Sequence, residues 1–463
     1  MTTTPQDLRY LSVLPQIAWP APLAQSPSNR LSMLFQLEQS QWWSPEALQQ
    51  AQFDQLRRLV PHAARHVPLY ARTLRDFTAP ESVTPQRWTD LPLLTRADLA
   101  PGGRALHSAL VPREHGQVHP SKTSGSTGVA VEFQVTDLDN FFWKVFSLRE
   151  HFWHRRDFSQ KLMSIRYAKE SVDAAARGLH SDAWGGATEG VVRTGAASLY
   201  HIEAKLGFLA ERLMVERPGY LLSHASLLSG LIDHCERHSL EPQGLKEVRS
   251  IGETMADDLR ERCRKVWGVP VVDVYTCQEA GYLASQCPEH EHYHVQSENV
   301  LLEVIDADGK PCRPGDIGRV VVTSLHNFAT PLIRYEVGDC AEVGAPCPCG
   351  RGLPVLKRVM GRFRNLLTLP NGEQRWPKMG YEELRRVAPV DLMQMVQHGL
   401  NDIEVRLVLA QPLTSEQQAA LTRFIQHNLG HAFTLRFSTV DTIRSTVNGK
   451  VEQFISMLGR TKP

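Results

Sequence analysis

The chain has 463 residues, 42% of them hydrophobic, enough to bury the cores of two domains. Its 51 Lys and Arg against 50 Asp and Glu leave a net charge of +1, which gives no electrostatic case for nucleic acid or an anionic membrane as partner. The start, Met-Thr-Thr-Thr-Pro-Gln-Asp, does not read as a signal peptide, and no run of about 18 uncharged apolar residues predicts a membrane span. The expectation is a cytoplasmic protein whose eight cysteines are free thiols or metal ligands.

The first 40 residues carry Pro5, Pro15, Pro20, Pro22 and Pro27 and predict an irregular arm on the surface. From Ser44-Pro45, a cap and first turn, Leu48, Ala51, Phe53, Leu56, Leu59 and Val60 recur at helical spacing. Thr95 in LPLLTRADL marks another helix start. Helical and strand-like runs then alternate, and the Val-rich GVPVVDVY and GRVVVTSL predict buried strands, so the class is α/β. After Gly361 the character changes. DIEVRLVLA and FTLRFSTV read as strands around a helix with a capping-box signature at Ser415 and Gln418 and an apolar face of Leu421, Phe424, Ile425 and Leu429. The division predicted is 1–360, including the arm, and a small α+β unit over 361–463.

Five segments could carry chemistry. Lys122-Thr-Ser-Gly-Ser-Thr-Gly128 offers backbone amides and hydroxyls to a phosphate, but lacks the Lys-Ser/Thr of a Walker loop. Alone it is a common Ser/Gly turn. Glu279 in Tyr275-Thr-Cys-Gln-Glu279 follows a strand, where ligands of α/β sheets bind, and its carboxylate suits Mg²⁺. Asp339 ends PLIRYEVGD, where a carboxylate can accept two ribose hydroxyls. Cys287, Cys347 and Cys349, with one of His290, His292 and His294, make a donor set typical of structural zinc, and the spacing leaves the histidine open. Lys450 follows Asn-Gly on a tight turn, ordinarily just a solvated lysine.

Each segment alone is weak, but the order is specific. From about Arg57 onward, VPLYARTL, LPLLTRADL, TSGSTG, the Tyr-x-x-x-Glu segment, PLIRYEVGD, CPCGR with a following GR, and NGK resemble the phenylacetate–CoA ligase and coenzyme F390 synthetase group of the adenylate-forming superfamily. The resemblance implies a large N-terminal domain that binds ATP and the acid, and a mobile C-terminal domain. It implies that Thr123, Ser124, Gly125, Ser126, Thr127 and Gly128 grip the triphosphate. It places Tyr275 against the adenine with Glu253 nearby, Glu279 on Mg²⁺, Asp339 on the ribose with Arg362 beside it, and Lys450 on the reacting carboxylate and α-phosphate. Cys287, His294, Cys347 and Cys349 fall where members of the group hold Zn²⁺.

The implied activity is ATP-dependent activation of an aromatic or compact carboxylic acid as an acyl-adenylate, followed by transfer to coenzyme A. The rivals are an adenylating enzyme that serves an amine or a carrier protein in trans, and a non-catalytic zinc-stabilised binding protein. A homodimer is compatible with any of these. Two departures bear on the acyl pocket and the second half-reaction: Thr276 and Gln278 replace the group's usual Gly and Thr, and Arg364 stands at the hinge. Trp143, Phe146, Trp153, Tyr167, Trp184 and His224 lie in the stretch expected to supply the pocket.

Overall fold

The computed structural model describes residues 8–99, 104–122, 131–167, 177–256, 258–362, 366–377, 384, 386–409, 411–441, 443 and 453–458. The Thr123–Gly128 loop, Arg364 and Lys450 lie outside these residues.

A helix over Gln25–Ser40 corrects the expectation of an irregular arm. Of the five prolines only Pro27 falls inside it, in the first turn, where an N–H has no helical partner to lose. Leu34 and Leu37 are buried, Leu37 in one apolar cluster with Phe142, Val145 and Phe146 of the helix Asp137–Trp153. The second helix, Pro45–His66, starts as predicted: the Ser44 side chain accepts from the Ala47 amide and Pro45 opens the first turn.

The strands in chain order begin with an antiparallel pair, β1 (Val118–Lys122) and β2 (Glu132–Thr136). The next twelve form one sheet: β3 (Leu162–Arg166), β4 (Leu179–Ser181), β5 (Ala197–His201), β6 (Tyr220–Ser223), β7 (Glu247–Ile251), β8 (Val271–Cys277), β9 (Gly281–Gln286), β10 (Tyr293–Val295), β11 (Val300–Ile305), β12 (Ile317–Ser324), β13 (Tyr335–Val343) and β14 (Val355–Arg362). Their spatial order is β11-β12-β13-β14-β10-β9-β8-β7-β6-β3-β5-β4. Strands β5, β3, β6, β7 and β8 run parallel, and from β8–β9 outward to β11 every pairing is antiparallel. The parallel strands need crossovers, and the helices Leu206–Glu216, Ala225–His238 and Leu259–Trp267 pack with them in one core. The helix Pro45–His66 contributes to a second core over the antiparallel half.

After β14 come a short pair, β15 (Leu367–Thr368) and β16 (Gln374–Arg375), and a four-stranded sheet of β17 (Val390–Gly399), β18 (Asp402–Leu409), β19 (Thr434–Thr439) and β20 (Phe454–Ser456) in the order β19-β18-β17-β20. The helix Ser415–Leu429 packs Leu421, Ile425 and Leu429 into that sheet's core. Its capping box is Thr414 with Gln417, one residue earlier than the sequence suggests. Both pairs fit the spacing, and the Thr414 backbone is the extended one that a cap requires. No helix among the described residues is long and apolar enough to cross a membrane.

Candidate active site

The large sheet changes from parallel to antiparallel between β8 and β9. A cavity of about 520 Å³ opens there, above the carboxyl ends of the parallel strands. Such a switch leaves a crevice between connections that depart in different directions. The helix Asp137–Trp153 closes one side. A complete capping box starts it: Thr136 accepts from the Asp139 amide, and the Asp139 carboxylate accepts from the Thr136 backbone. Its Phe142, Trp143 and Phe146 line the cavity with Tyr282 of β9. Trp143 meets Tyr282 edge-on at 4.9 Å, and the Tyr282 hydroxyl lies 2.7 Å from Ser147 Oγ. Of the six side chains expected in the acyl pocket, Trp143, Phe146, Tyr167 and His224 line the cavity. Trp153 and Trp184 do not: Trp153 packs with Leu48 and Leu353, and the Trp184 indole donates to the Gln160 carbonyl.

The β8–β9 turn presents Thr276, Cys277, Gln278 and Glu279 to the cavity. The β8–β9 register shifts between Tyr275 and Thr276, which displaces these residues from regular pairing. Gly281 has φ +73°, and a Cβ there would sit 3.7 Å from the Trp143 ring. The positive φ is what calls for glycine here, since a Cβ would make only ordinary contact with the wall. Glu279 is only 9% exposed, yet no hydrogen bond or ion pair engages its side chain among the described residues. Burial drives the neighbouring Cys277 thiol well upward, so it stays protonated.

Behind the turn lies a trio joined by a hydrogen bond and an ion pair. The Tyr275 hydroxyl donates to Asp339 Oδ2 at 2.8 Å, and Arg362 Nε sits 3.2 Å from Asp339 Oδ1. Arg362 also donates to the Val337 carbonyl at 2.7 Å. β13 and β14 pair Asp339 directly with Arg362, which fixes the contact. The Asp339 charge raises the Arg362 guanidinium further, while burial and Asp339 hold Tyr275 firmly in its hydroxyl form. On the other flank, Glu253 accepts from the Ser226 amide at 2.8 Å and lies 3.7 Å from His224. Burial pushes the Glu253 carboxyl up, but His224 and Ser226 outweigh it and hold the carboxyl below its usual range. Sequence reasoning did not connect Tyr275 to Asp339, 64 residues apart. It also missed Arg166, Asn299 and His326 in the cavity lining. His326 stacks on Phe142 at 4.0 Å, its ring nitrogen 2.7 Å from the Glu298 carbonyl oxygen, and burial lowers its pKa to about 4.

A separate cluster sits at the far end of β9 and β10. The ligand atoms of Cys287, His294, Cys347 and Cys349 all lie within 4.8 Å of one another. Cys287 Sγ and Cys347 Sγ are 3.8 Å apart, and Cys349 Sγ lies 3.4 Å from His294 Nε2. Two thiolates held at about 2.3 Å by one tetrahedral zinc would be separated by about 3.8 Å, and a thiolate and an imidazole by slightly less. The donors present therefore fit such an ion. The Arg351 guanidinium donates to Cys349 Sγ at 3.4 Å. Burial raises the Cys347 thiol to about 12, whereas Cys349 is lowered despite burial because the Arg351 and Cys347 contacts favour its thiolate. His290 and His292 stack on each other outside the set.

A large sheet with a cleft at its topological switch, followed by a small four-stranded unit, is the adenylate-forming fold. A 2-hydroxyisobutyryl-CoA ligase, solved in the postadenylation state with an acyl-AMP, superposes with a TM-score of 0.71 over 91% of this chain and 92% of that one, at 16% identity. In sequence, the chain is 24% identical to a phenylacetate–coenzyme A ligase of Pseudomonas putida over 79% of this chain and 83% of the relative. It is 26% identical to the phenylacetate–coenzyme A ligase of Thermus thermophilus over 70% and 72%. Residues 384–457 match the CapK C-terminal domain. In sequence the chain is thus similar to phenylacetate–CoA ligases along most of its length.

Proposed function

We propose that this chain is an AMP-forming acid–CoA ligase. The observation that carries the reading is the cavity at the sheet's switch point, with the Glu279 carboxylate, which has no partner among the described residues, at its edge and the Tyr275–Asp339–Arg362 trio behind it. In the first step an acid carboxylate oxygen attacks the α-phosphorus of ATP, the bond to the β-phosphate oxygen breaks, and pyrophosphate leaves. In the second, the CoA thiol attacks the acyl carbon, its proton passes to solvent, and AMP departs.

The obstacle to the first step is repulsion between two anions. The amides and hydroxyls of Thr123–Gly128 and the Lys450 ammonium offset it. Glu279 would hold Mg²⁺, which neutralises phosphate charge when bound. Tyr275 and Arg362 fix the Asp339 carboxylate, whose remaining lone pairs accept the ribose hydroxyls. The Tyr275 ring, beside that contact, meets the adenine, and Glu253 with its Ser226 bond braces the adjoining wall. The units 1–360 and 361–463 are two domains, and Lys450, carried on the second, withdraws when CoA must enter. Cys287, His294, Cys347 and Cys349 would hold a structural zinc, since four protein ligands leave no open position.

The deciding experiment is ATP–pyrophosphate exchange across a panel of acids, followed by product analysis with and without CoA. Acid-dependent exchange and a CoA thioester are expected. Exchange with no acid would leave a non-catalytic zinc-stabilised module as the reading.

A further inference from the structure

The registers of the parallel strands align four cavity residues in one row across the sheet. β3 pairs Ser164 with Leu222 of β6, so Arg166 and His224, each two residues on, stand level. β6 pairs Ser223 with Ser250, which brings His224 level with Ile251, and β7 pairs Ile251 with Val274 of β8. All four line the cavity. Three strand spacings of about 4.8 Å make the row about 14 Å long. The nucleotide-facing groups lie at the β8 end and beyond it, since β9, β10, β14 and β13 continue the sheet away from β3. Arg166 therefore stands at the opposite end of the cavity floor from Glu279 and Asp339.

No hydrogen bond or ion pair engages the Arg166 side chain among the described residues. The cavity's other carboxylates are committed elsewhere: Asp139 caps its helix and Glu279 sits at the β8–β9 turn. Of the groups beside Arg166 in the row, His224 is 6% exposed and its Nδ1 faces the Glu253 carboxylate at 3.7 Å, which occupies that carboxylate on the His224 side. The side wall is apolar, built from Phe142, Trp143 and Phe146. A guanidinium at the end of an aromatic-walled slot matches a planar, doubly accepting anion, which it binds through two parallel N–H bonds.

We propose that Arg166 selects acids carrying a second carboxylate at the end remote from the reacting carboxyl. The proposal rests on the adenylation reading. In use, the reacting carboxyl meets the α-phosphate at the β8–β9 turn, the carbon skeleton lies along the aromatic wall, and the distal carboxylate pairs with Arg166.

Pyrophosphate exchange with matched pairs tests it: phenylacetate against 4-carboxyphenylacetate, and hexanoate against adipate. The wild-type protein is expected to favour the distal carboxylate by about 10-fold or more in kcat/KM, the scale of one well-placed charged contact. Arg166→Gln collapses that ratio to within about 3-fold of unity, and Arg166→Lys retains part of it, because an ammonium keeps charge without the bidentate fork. The ATP KM stays put in both variants. A wild-type preference for the mono-acids overturns the proposal without any variant being made. So does a ratio that survives Arg166→Gln, or a rise in ATP or CoA KM that makes Arg166 a phosphate contact. Exchange without discrimination sinks only this proposal, whereas no exchange with any acid sinks the adenylation reading beneath it.

Discussion

The cavity and the Cys/His cluster lie at opposite ends of strand β9 and treat polar atoms in opposite ways. At the cavity, Glu279 and Arg166 face open space with no partner among the described residues. At the cluster, Cys287, His294, Cys347 and Cys349 turn their ligand atoms inward on one point, with Arg351 and the Cys349 amide as outer donors. A buried polar group without a partner costs stability, which holds for Glu279 but not for the solvent-exposed Arg166, whereas the cluster turns its polar atoms on one another. Changes at the cavity should therefore move rates and affinities, and changes at the cluster should move stability.

The largest expected effect is on the chemical step. Lys450→Ala should lower acyl-adenylate formation by several orders of magnitude, since a positioned charge at a transferring phosphoryl group supplies roughly 3 kcal/mol or more. Melting temperature and ATP binding should barely move. Pyrophosphate exchange within a few fold of wild type would remove Lys450 from the chemistry.

Next comes the cluster. Metal analysis of protein purified without added zinc should find close to one ion per chain. Cys349→Ser should lower zinc content and melting temperature together, by several degrees if the loss is a few kcal/mol. His294→Ala should do the same and His292→Ala should not. Loss of zinc on replacing His292 alone would show that the ligand set is misassigned. A metal-free preparation that melts like wild type would make the four side chains ordinary buried groups.

A smaller effect belongs to the nucleotide side. Asp339→Ala should raise the ATP KM about 10-fold, because hydrogen bonds to a charged acceptor contribute about 1.5–3 kcal/mol. It also strips Tyr275 and Arg362 of their partner, so Asp339→Asn is the gentler control. An unchanged ATP KM in both would confine the trio to structure.

The smallest effect concerns a buried carboxyl in β8 that belongs to neither site. Burial raises Asp273 to about 6, even though Tyr293 donates to it at 2.6 Å. A carboxyl whose folded pKa lies above its unfolded value binds more protons when folded, so stability falls as pH rises from about 4 to about 6. Asp273→Asn should flatten that part of the stability curve, with a gain on the order of 1 kcal/mol at neutral pH. Chemical denaturation at pH 4, 5, 6 and 7 reads it out, and an unaltered slope in the variant would show that Asp273 titrates normally.

Local patterns in the sequence determined a good deal. The Ser44-Pro45 helix start, the Val-rich strands at 271–277 and 317–324, and the apolar face of the helix Ser415–Leu429 follow from neighbours a few residues apart, which propensity and periodicity register. The ordered motif series pointed to an adenylate-forming fold. What only the tertiary structure decided depends on residues far apart in the chain. His292 and His294 are two residues apart, so alternation places them on the same face and cannot choose between them. It is the packing of β10 between β9 and β14, with Trp153 5.9 Å from the His294 ring, that brings His294 Nε2 to Cys349. Tyr275 finds Asp339, and Arg166 falls in line with Val274, through strand order and register across the large sheet. Those are set by the burial of whole faces against the helices, a property that no short window of sequence contains.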